Sequence, residues 1–358
     1  MGANRKNNGT NRLRCARSIK EFLFRQGIKL TYPVTASQIP AGPIVLALGF
    51  FDGVHRGHQR VVAAAREAAV AQNAKLAVMT FDQHPSVVFG HADPDHVRYL
   101  TTIAQKEALM AEMGVDILYV LHFYASVGAM APQTFVDALI VGLHTQTVVA
   151  GFDYTYGPAD VANMSRLNEY GRDRFEIIEV PKAVLDDDKI SSTRIRTALD
   201  AGNVDLANEL LGYQYETLGE VVHGEARGRT LGFPTANVAH GNNTRVPGIG
   251  IYATMVLVGT RWVMGMASVG RNVTFGDDRP VTVEINLLDF SADIYGQQLT
   301  VRWGHRMRGE VKFAGADAFA TQLKRDAQGT REYYPKHPLP AQPRFLTTKQ
   351  TSPQTEEH

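Results

Sequence analysis

Cysteine is the residue that this chain of 358 residues most clearly lacks. Its single cysteine, Cys15, excludes an intrachain disulfide and any metal site built from several cysteines. Such usage is typical of the reducing cytoplasm, where we expect the protein to work. The sequence also lacks an uninterrupted apolar run of about 18 residues, the length that a membrane-spanning helix needs, so no membrane association is expected.

The chain has little excess charge of either sign. Its formal net charge is +1, with 20% charged and 44% hydrophobic residues, as in soluble globular proteins. This balance gives no general electrostatic basis for binding nucleic acid, and none is expected. Residues 1–30 are the exception, because they hold eight Lys or Arg residues against the single acid Glu21. They lack the apolar core of a secretory signal, so we interpret residues 1–28 as a disordered basic extension.

The length predicts two domains, and the hydrophobic periodicity changes near residue 213. Between residues 29 and 212, short apolar strands alternate with amphipathic helices, which predicts a parallel sheet covered by helices on both faces. The predicted strands are 44–49, 75–81, 116–121, 147–151 and 175–180. The predicted helices are 58–72, 102–113, 132–142, 162–171, 192–201 and 204–211.

Residues 213–338 have a different pattern, with short β-rich segments separated by Gly, Asn, Asp and Pro. Because helical crossovers are missing, we predict an antiparallel sheet closed into a small barrel. The predicted strands are 217–223, 250–258, 261–269, 280–290 and 297–303, and the predicted helix is 314–326. Residues 339–358 show no periodicity, so we interpret them as a flexible tail.

Two histidines follow the first predicted strand of the first domain. A glycine turn leads from that strand to His55 and His58, which flank Gly57 as helical periodicity begins. At this spacing both side chains point the same way in the first helical turn, toward free backbone N–H groups. This arrangement predicts a binding site for nucleotide phosphates. The alternative is an ordinary strand–turn–helix junction with two surface histidines.

A second motif of the same domain is Lys-Ile-Ser-Ser-Thr-Arg-Ile-Arg at 189–196. Serines before a helical run are N-cap residues, and their hydroxyls can also bind phosphate. Arg194 and Arg196 add planar cations that suit phosphate oxygens. Taken alone, the motif favours a capped helix with exposed arginines, but together with the two histidines it predicts a triphosphate site. A Walker-type loop is absent, which excludes a P-loop protein.

Four motifs in this order resemble the adenylyltransferase half of the bacterial bifunctional riboflavin kinase/FAD synthetase family. They are GFFDGVHRGH at 49–58, TFDQHP at 80–85, GFDYTYG at 151–157 and ISSTRIR at 190–196. HGEARGRTLGFPTANV at 223–238 resembles the riboflavin kinase signature. The resemblance runs from about Lys29 to about Lys336. It implies a Rossmann-like nucleotidyltransferase domain with a parallel sheet, followed by a small antiparallel β-barrel kinase domain.

The resemblance also implies two reactions. Riboflavin and ATP would give FMN and ADP, and FMN with a second ATP would give FAD and pyrophosphate, with Mg²⁺ as cofactor. His55 and His58 match the residues that stabilise charge on the ATP phosphates during adenylyl transfer. The other expected nucleotide and flavin contacts of this domain are Gly49, Phe50, Asp52, Gly57, Phe81, His84, Pro85, Ser192, Thr193 and Arg196.

In the kinase half, Glu284 matches the family's catalytic base, which takes the proton of the riboflavin 5′-hydroxyl. It alternates with Val283 and Ile285 in a predicted strand, a pattern that equally fits a solvent-facing glutamate. The other expected nucleotide contacts are Arg227, Gly228, Arg229, Thr235 and Asn237. Of these, Thr235 and Asn237 are the expected Mg²⁺ ligands, since their side chains offer hard oxygen atoms.

Two alternatives remain at this stage. Phe152 stands where many relatives carry Asn or Glu, which suggests a riboflavin kinase with a weak or inactive adenylyltransferase half. The basic residues 1–30 suggest a flavin-responsive regulatory or nucleic-acid-binding protein instead. The sequence leaves open whether identical chains associate.

Overall fold

The computed structural model describes residues 27–90, 93, 97–224, 233–271, 281–311 and 313–337. The expected basic extension and tail lie outside these residues, apart from positions 27 and 28. Within the described ranges, no helix is both long enough and apolar enough to cross a membrane.

The first domain is built on a six-stranded sheet in the order β1-β4-β3-β2-β5-β6, with every neighbouring pair parallel. Its strands are β1 (Ile28–Leu30), β2 (Ile44–Leu48), β3 (Lys75–Phe81), β4 (Ile117–Leu121), β5 (Thr145–Gly151) and β6 (Glu176–Val180). The predicted parallel sheet is confirmed. The three-residue strand β1 was not predicted, because it is too short to show a periodicity.

Helices surround this sheet. They are α1 (Arg56–Ala71), α2 (Pro85–Val88), α3 (Ile103–Glu112), α4 (Ala125–Gly128), α5 (Pro132–Phe135), α6 (Met164–Gly171), α7 (Ser192–Asp200) and α8 (Val204–Leu211). The regular helix predicted at 132–142 is wrong, since α5 continues as a π-helix and then a 3₁₀-helix. Val136, Ile140 and Val141 are β-branched and Gly142 follows them, a composition that weakens a regular α-helix.

The central strand β2 shows why the sheet is covered on both faces. All five of its residues are buried. Ile44, Leu46 and Leu48 pack into one apolar cluster, whereas Val45 and Ala47 pack into another on the opposite face. The strand order reverses between β2 and β5, and in open parallel sheets ligands bind beside the carboxyl ends of the strands at such a reversal.

The second domain is a closed antiparallel barrel in the order β10-β13-β12-β11-β14-β9. Its strands are β9 (Glu216–Val222), β10 (Ala236–Ala239), β11 (Gly250–Val258), β12 (Arg261–Arg271), β13 (Val281–Leu287) and β14 (Gln298–Arg308). In the first domain, β7 (Val184–Leu185) and β8 (Asp188–Lys189) form a small hairpin before α7. The predicted barrel is confirmed. The strand β10 was missed because it begins within the Pro-Thr-Ala-Asn signature, which has the composition of a turn.

The final helix, α9 (Ala316–Lys336), contacts β11 and β12. It runs ten residues beyond the predicted end at 326, through Gly329 and Pro335 to Lys336. Sequence reasoning ended the helix early because glycine and proline both disfavour a helix interior. In the structure, apolar packing of Leu323 and Ala327 against the barrel accompanies the longer helix.

The barrel and the sheet domain are in direct contact. Helices α7 and α8 share one apolar cluster with the barrel interior. The Tyr213 hydroxyl, between the domains, donates a 2.7 Å hydrogen bond to the Gly53 carbonyl in the turn after β2. The Tyr99 amide donates to the Asn243 carbonyl of the barrel domain at 2.8 Å. The predicted phosphate site therefore borders the second domain.

Candidate active sites

The turn after β2 brings the two histidines to the start of α1. Within it, Phe51, Gly53 and Val54 all adopt positive φ, at 53°, 79° and 37°. Only glycine adopts that region freely, so the β-branched Val54 is strained there. Phe51 and Val54 are fully buried, and their packing offsets this strain. The sharp turn places His55 as the N-cap of α1.

His55 and His58 form a stacked pair, as their spacing predicted. Their ring centroids lie 3.6 Å apart with an interplanar angle of 16°. The Nδ1 atom of His55 accepts a 3.3 Å hydrogen bond from the His58 amide, so the proton of a neutral His55 ring is on Nε2. A Cβ at Gly57 would lie 3.1 Å from the His55 ring, which explains the glycine between them.

Burial determines the charge of this pair. It lowers the pKa of His55 to about 4, with the Lys189 and Arg196 charges adding to the effect. It also lowers the pKa of His58 well below its usual value, helped by the positive charge of a protonated His55. Both rings are therefore neutral at pH 7 and act as hydrogen-bond donors and acceptors. His58 Nδ1 is buried and has no hydrogen-bond partner among the described residues.

Asp52 joins the two predicted phosphate motifs. Its buried carboxylate accepts hydrogen bonds from the amides of Leu100 and Thr101 at 3.0 and 3.2 Å. It also forms an ion pair with Arg196, whose guanidinium is one-quarter exposed. The Ser192 hydroxyl donates to the Asp52 carbonyl at 2.9 Å. Asp52 thus holds α7 against the histidine turn.

The first turn of α7 is polar and accessible. Ser191 is its N-cap and accepts a 3.3 Å hydrogen bond from the Arg194 amide. Thr193 is exposed, whereas the Arg194 guanidinium donates to the Leu185 carbonyl at 2.8 Å. Arg196 is therefore the arginine of this motif that the structure places beside the histidine turn, while Arg194 braces the hairpin before α7.

The expected flavin-side residues lie just after β2 and at or just after the end of β3. His84 packs edge-on against Phe50 at 4.9 Å, and its Nδ1 accepts a hydrogen bond from the Ser86 amide as the N-cap of α2. Pro85 is the first residue of that helix, and Phe81 is buried at the end of β3. Burial lowers the pKa of His84, and the Arg196 charge adds to that effect. Gly49 lies against the Phe51 ring.

Phe152 lies at the end of β5, next to β2 in the sheet. Its side chain is 41% exposed, and Lys189 Nζ lies 5.0 Å from the centroid of its ring. Lys189 forms an ion pair with Asp153. The aromatic ring at 152 therefore packs beside this ion pair at the C-terminal edge of the sheet.

Lys106 is a residue of this site that sequence reasoning missed. It is 2% exposed, and its ammonium donates to the Phe50 carbonyl at 2.8 Å. The signal was present in the sequence, because Lys106 falls in phase with Ile103, Met110 and Met113 on the apolar face of α3. A lysine on such a face is rarely buried without a specific role.

In the barrel, strand register brings the predicted kinase residues together. Glu284 of β13 lies directly opposite Asn237 of β10, so both side chains are on the same face of the sheet. Both are half-buried, whereas Val283 and Ile285 fill the barrel interior. A Cβ at Gly224 would overlap the Asn237 amide, so this glycine leaves room for that side chain.

Two cavities are lined in part by other residues of β13. One of about 490 Å³ is lined by Thr235, Pro234 and Tyr295. The other, of about 590 Å³, is lined by Pro234, Lys324 and Arg331, with α9 forming one wall. His223 and Tyr295 stack at 3.9 Å, and Tyr295 borders the first cavity. The predicted contacts Arg227, Gly228 and Arg229 lie outside the described residues.

The fold and the two sites define a class of protein, namely a two-domain enzyme for nucleotide-dependent group transfer. Residues 38–194 match the family model of FAD synthetases, and residues 211–334 match that of riboflavin kinases. These matches cover most of the chain, and their order is that of the sheet and the barrel.

Whole proteins show the same pairing of domains. The chain is 44% identical to a bifunctional riboflavin kinase/FMN adenylyltransferase of Listeria monocytogenes, over 86% of this chain and 98% of that protein. For a protein of the same description from Bacillus subtilis the identity is 39%, with the same coverage. The chain belongs to the bifunctional riboflavin kinase/FMN adenylyltransferase family.

A solved structure supports the fold over both domains. It is described as a macrolide-efflux protein from Streptococcus pneumoniae and superimposes with a TM-score of 0.77 at 38% identity. The match covers 82% of this chain and 95% of that one. Its description names a transport process, whereas both family models and the two relatives above name transfer reactions.

Proposed function

We propose that this chain makes FAD from riboflavin in two steps, each of which consumes ATP. The barrel transfers the γ-phosphoryl group of ATP to riboflavin and releases ADP. The sheet domain then transfers AMP from a second ATP to FMN and releases pyrophosphate. The observation that best supports the proposal is the ion pair of Arg196 with Asp52. It brings together two motifs that are far apart in the sequence, next to the stacked histidines.

Adenylyl transfer needs no protein nucleophile. An oxygen of the FMN phosphate attacks the α-phosphorus of ATP, and the bond to pyrophosphate breaks. His55 and His58 donate hydrogen bonds to phosphate oxygens, and Arg196 adds a fixed positive charge. Their neutral, buried rings are held in place before substrate binds, so little reorganisation accompanies the reaction.

The remaining predicted contacts of the sheet domain surround these three residues. Ser192 and Thr193, in the first turn of α7, are proposed to bind further phosphate oxygens. Gly49 and Gly57 leave space for the nucleotide at the histidine turn. Phe50, Phe81, His84 and Pro85 are proposed to border the flavin side, since they lie at or just after the ends of β2 and β3 and the rings of Phe50 and His84 are in contact.

In the kinase step, Glu284 is proposed as the general base. It takes the proton of the riboflavin 5′-hydroxyl while that oxygen attacks the γ-phosphorus, and ADP leaves. Support comes from its place opposite Asn237 on an accessible face of the barrel. Arg227, Gly228 and Arg229 are proposed nucleotide contacts on the basis of the sequence motif alone.

The residues at this site fit a magnesium ion. Thr235 lines the 490 Å³ cavity and Asn237, two residues further on, stands opposite Glu284, so this segment offers neutral side-chain oxygen ligands. Within the described part of the chain, no cluster of three or more His, Cys, Asp or Glu residues could hold a metal by itself. We therefore propose Thr235 and Asn237 as ligands that share Mg²⁺ with ATP, whose negative charge the ion would offset.

Product analysis tests the whole proposal. Purified protein is incubated with riboflavin, ATP and Mg²⁺, and the flavins are separated by chromatography. We expect FMN to form first and FAD to follow, and we expect a chelator to stop both. FMN that accumulates without FAD at excess ATP would instead identify a kinase with an inactive adenylyltransferase half. Absence of both products would exclude the proposed function.

We further propose that the partners are small molecules only and that the reactions take place in the cytoplasm, where ATP is available. The test of the first point is removal of residues 1–26. We expect unchanged formation of FMN and FAD and no RNA or DNA binding by either protein. Binding that is lost with this segment would favour the regulatory alternative.

A further inference from the structure

Lys106 carries a positive charge that the reactions above do not yet use. Its side chain is buried beneath the turn that leads from β2 to the histidines. The ammonium donates to the Phe50 carbonyl at 2.8 Å and to the Thr80 hydroxyl at 3.3 Å, and it lies 4.1 Å from the centroid of the Phe50 ring. Lys106 therefore contacts the backbone at the point where the strand ends and the phosphate-binding turn begins.

The charges around Lys106 do not balance. The groups that face it are Asp52 in the turn, His58 on α1 and His84 on α2. Both histidines are neutral at pH 7, because their pKa values are lowered, and Asp52 is already paired with Arg196. Two buried or partly buried cations thus share one carboxylate. Such a site gains most when an anion enters it, since an unpaired buried charge is costly.

We propose that Lys106 is a positioning residue for adenylyl transfer, which fixes the Phe50 carbonyl and places a buried positive charge behind His58 for the ATP phosphates. The inference rests on the proposed function. Lys106 acts through the turn and through its charge, and it lies one layer beneath the residues that face the nucleotide.

The protonation of Lys106 gives the proposal a distinct signature. Burial lowers its pKa to about 8, so the ammonium is present below that pH and is lost above it. The value of kcat/KM for ATP reports ionisations of the free enzyme. We therefore expect this parameter for FAD formation to fall as the pH rises through about 8. Formation of FMN by the barrel of the same chain should not show this change.

Lys106→Met tests the need for the charge. The Thr80 hydroxyl still donates to the Phe50 carbonyl at 2.7 Å in its absence, so the fold is expected to survive. At pH 7 we expect kcat/KM for ATP in FAD formation to fall by about tenfold to a hundredfold, with FMN formation and Tm retained. Lys75→Met is the matched control, since Lys75 is exposed at the opposite end of β3. It should leave both activities unchanged.

Lys106→Arg tests the charge against a purely structural role. A guanidinium stays protonated over the whole pH range, so Lys106→Arg should keep kcat/KM for ATP close to that of wild type and should not show the decrease near pH 8. Lys106→Met should also show no decrease near pH 8, but its kcat/KM should be low at every pH. Unchanged FAD formation in Lys106→Met would overturn the proposal. The proposal would also be overturned if kcat/KM for ATP still decreased near pH 8 in both variants, or if both variants had a lowered Tm. Wild type that forms FMN but no FAD would contradict the proposed function instead.

Discussion

The two proposed ATP sites of this chain are built in different ways. In the sheet domain, charged and aromatic side chains are buried and already bonded to one another, as the ion pair of Asp52 with Arg196 and the stacked histidines show. In the barrel, Glu284 and Asn237 are half-buried and stand opposite each other on paired strands, and other residues of this domain line cavities of about 490 and 590 Å³. Side-chain packing positions the residues of the first site, whereas strand register positions those of the second.

This difference follows from where the charge develops in each reaction. Adenylyl transfer uses phosphates as both nucleophile and leaving group, so the protein mainly supplies positive charge and hydrogen-bond donors. Those groups are most effective when they are held in place and shielded from water. The kinase reaction starts from a neutral hydroxyl, so it needs one carboxylate base at the right place and space for two substrates.

The largest expected effect comes from Glu284, the proposed base of the kinase step. Glu284→Gln keeps the shape of the side chain but removes its ability to accept a proton. We expect FMN formation from riboflavin to fall by about a hundredfold to ten-thousandfold, because general bases contribute that much. FAD formation from added FMN should be unchanged. Both rates are measured by chromatography of the flavins.

Glu220→Gln is the matched control for that experiment. Glu220 is an exposed glutamate on β9, two strands away from β13 in the barrel and outside the proposed site. It should leave FMN formation unaltered. If Glu284→Gln kept its kinase activity, or if both activities fell in a folded protein, the division into two independent sites would be wrong.

The next effect concerns the histidine pair. His58→Ala removes a buried ring that stacks on His55 and, with it, a proposed hydrogen-bond donor for phosphate. We expect FAD formation from FMN to fall by about a hundredfold to a thousandfold, the range seen when one preorganised donor is removed. FMN formation should persist, and it serves as a control for folding in the same chain. Equal loss of both activities would count against the assignment of His58.

Much of this site could be predicted from the sequence. The histidine spacing at 55 and 58 gave their common direction, and the serines at 191 and 192 gave the start of α7. These are local signals, because one turn of helix determines them. The joining of Asp52 to Arg196 is not local, since 144 positions separate the two residues. The sequence predicted that the two motifs form one site, but it did not predict the ion pair between these two residues.

Other features were missed for two different reasons. Lys106 was missed because helical periodicity was used to assign apolar positions, and a charged residue in phase with them was not examined. The strand β10 was missed because four residues carry too short a pattern, and barrel closure, which pairs β10 with both β9 and β13, supplies its stability. Tertiary pairing thus overrides local composition there.

A smaller effect should appear in stability rather than activity. The pKa of His55 is lowered from 6.5 to about 4 in the folded chain, so between these values the unfolded state binds the proton and the folded state does not. The free energy of unfolding therefore decreases as the pH falls through this window, by about 3 kcal/mol in total. His55→Asn keeps an N-cap acceptor and should show a smaller loss of Tm between pH 6.5 and 4.

His144→Asn is the matched control for that titration. His144 is exposed and has φ of 59°, a conformation that asparagine tolerates. The Tm of this variant should decrease as the pH is lowered, by the same amount as in wild type. If the Tm of His55→Asn decreased as much as that of wild type over this pH range, the buried ring would not resist protonation.

The smallest expected effect tests whether the two sites are fully separate. Tyr213→Phe removes the 2.7 Å hydrogen bond from the Tyr213 hydroxyl to the Gly53 carbonyl, next to Asp52 in the histidine turn. We expect stability to fall by about 1 kcal/mol, the usual value of one such bond, and FAD formation to slow by about fivefold. FMN formation should not change, since the bond supports the turn of the sheet domain.

Tyr124→Phe separates the loss of any tyrosine hydroxyl from the loss of this one. The Tyr124 hydroxyl donates to the Tyr32 carbonyl at 2.8 Å, a bond of the same kind that does not involve the histidine turn. Similar losses of Tm in both variants, with slower FAD formation in Tyr213→Phe alone, would show that a residue at the domain junction supports adenylyl transfer. Equal rates in the two variants would mean that the packed side chains of the sheet domain hold the turn without help from the barrel side.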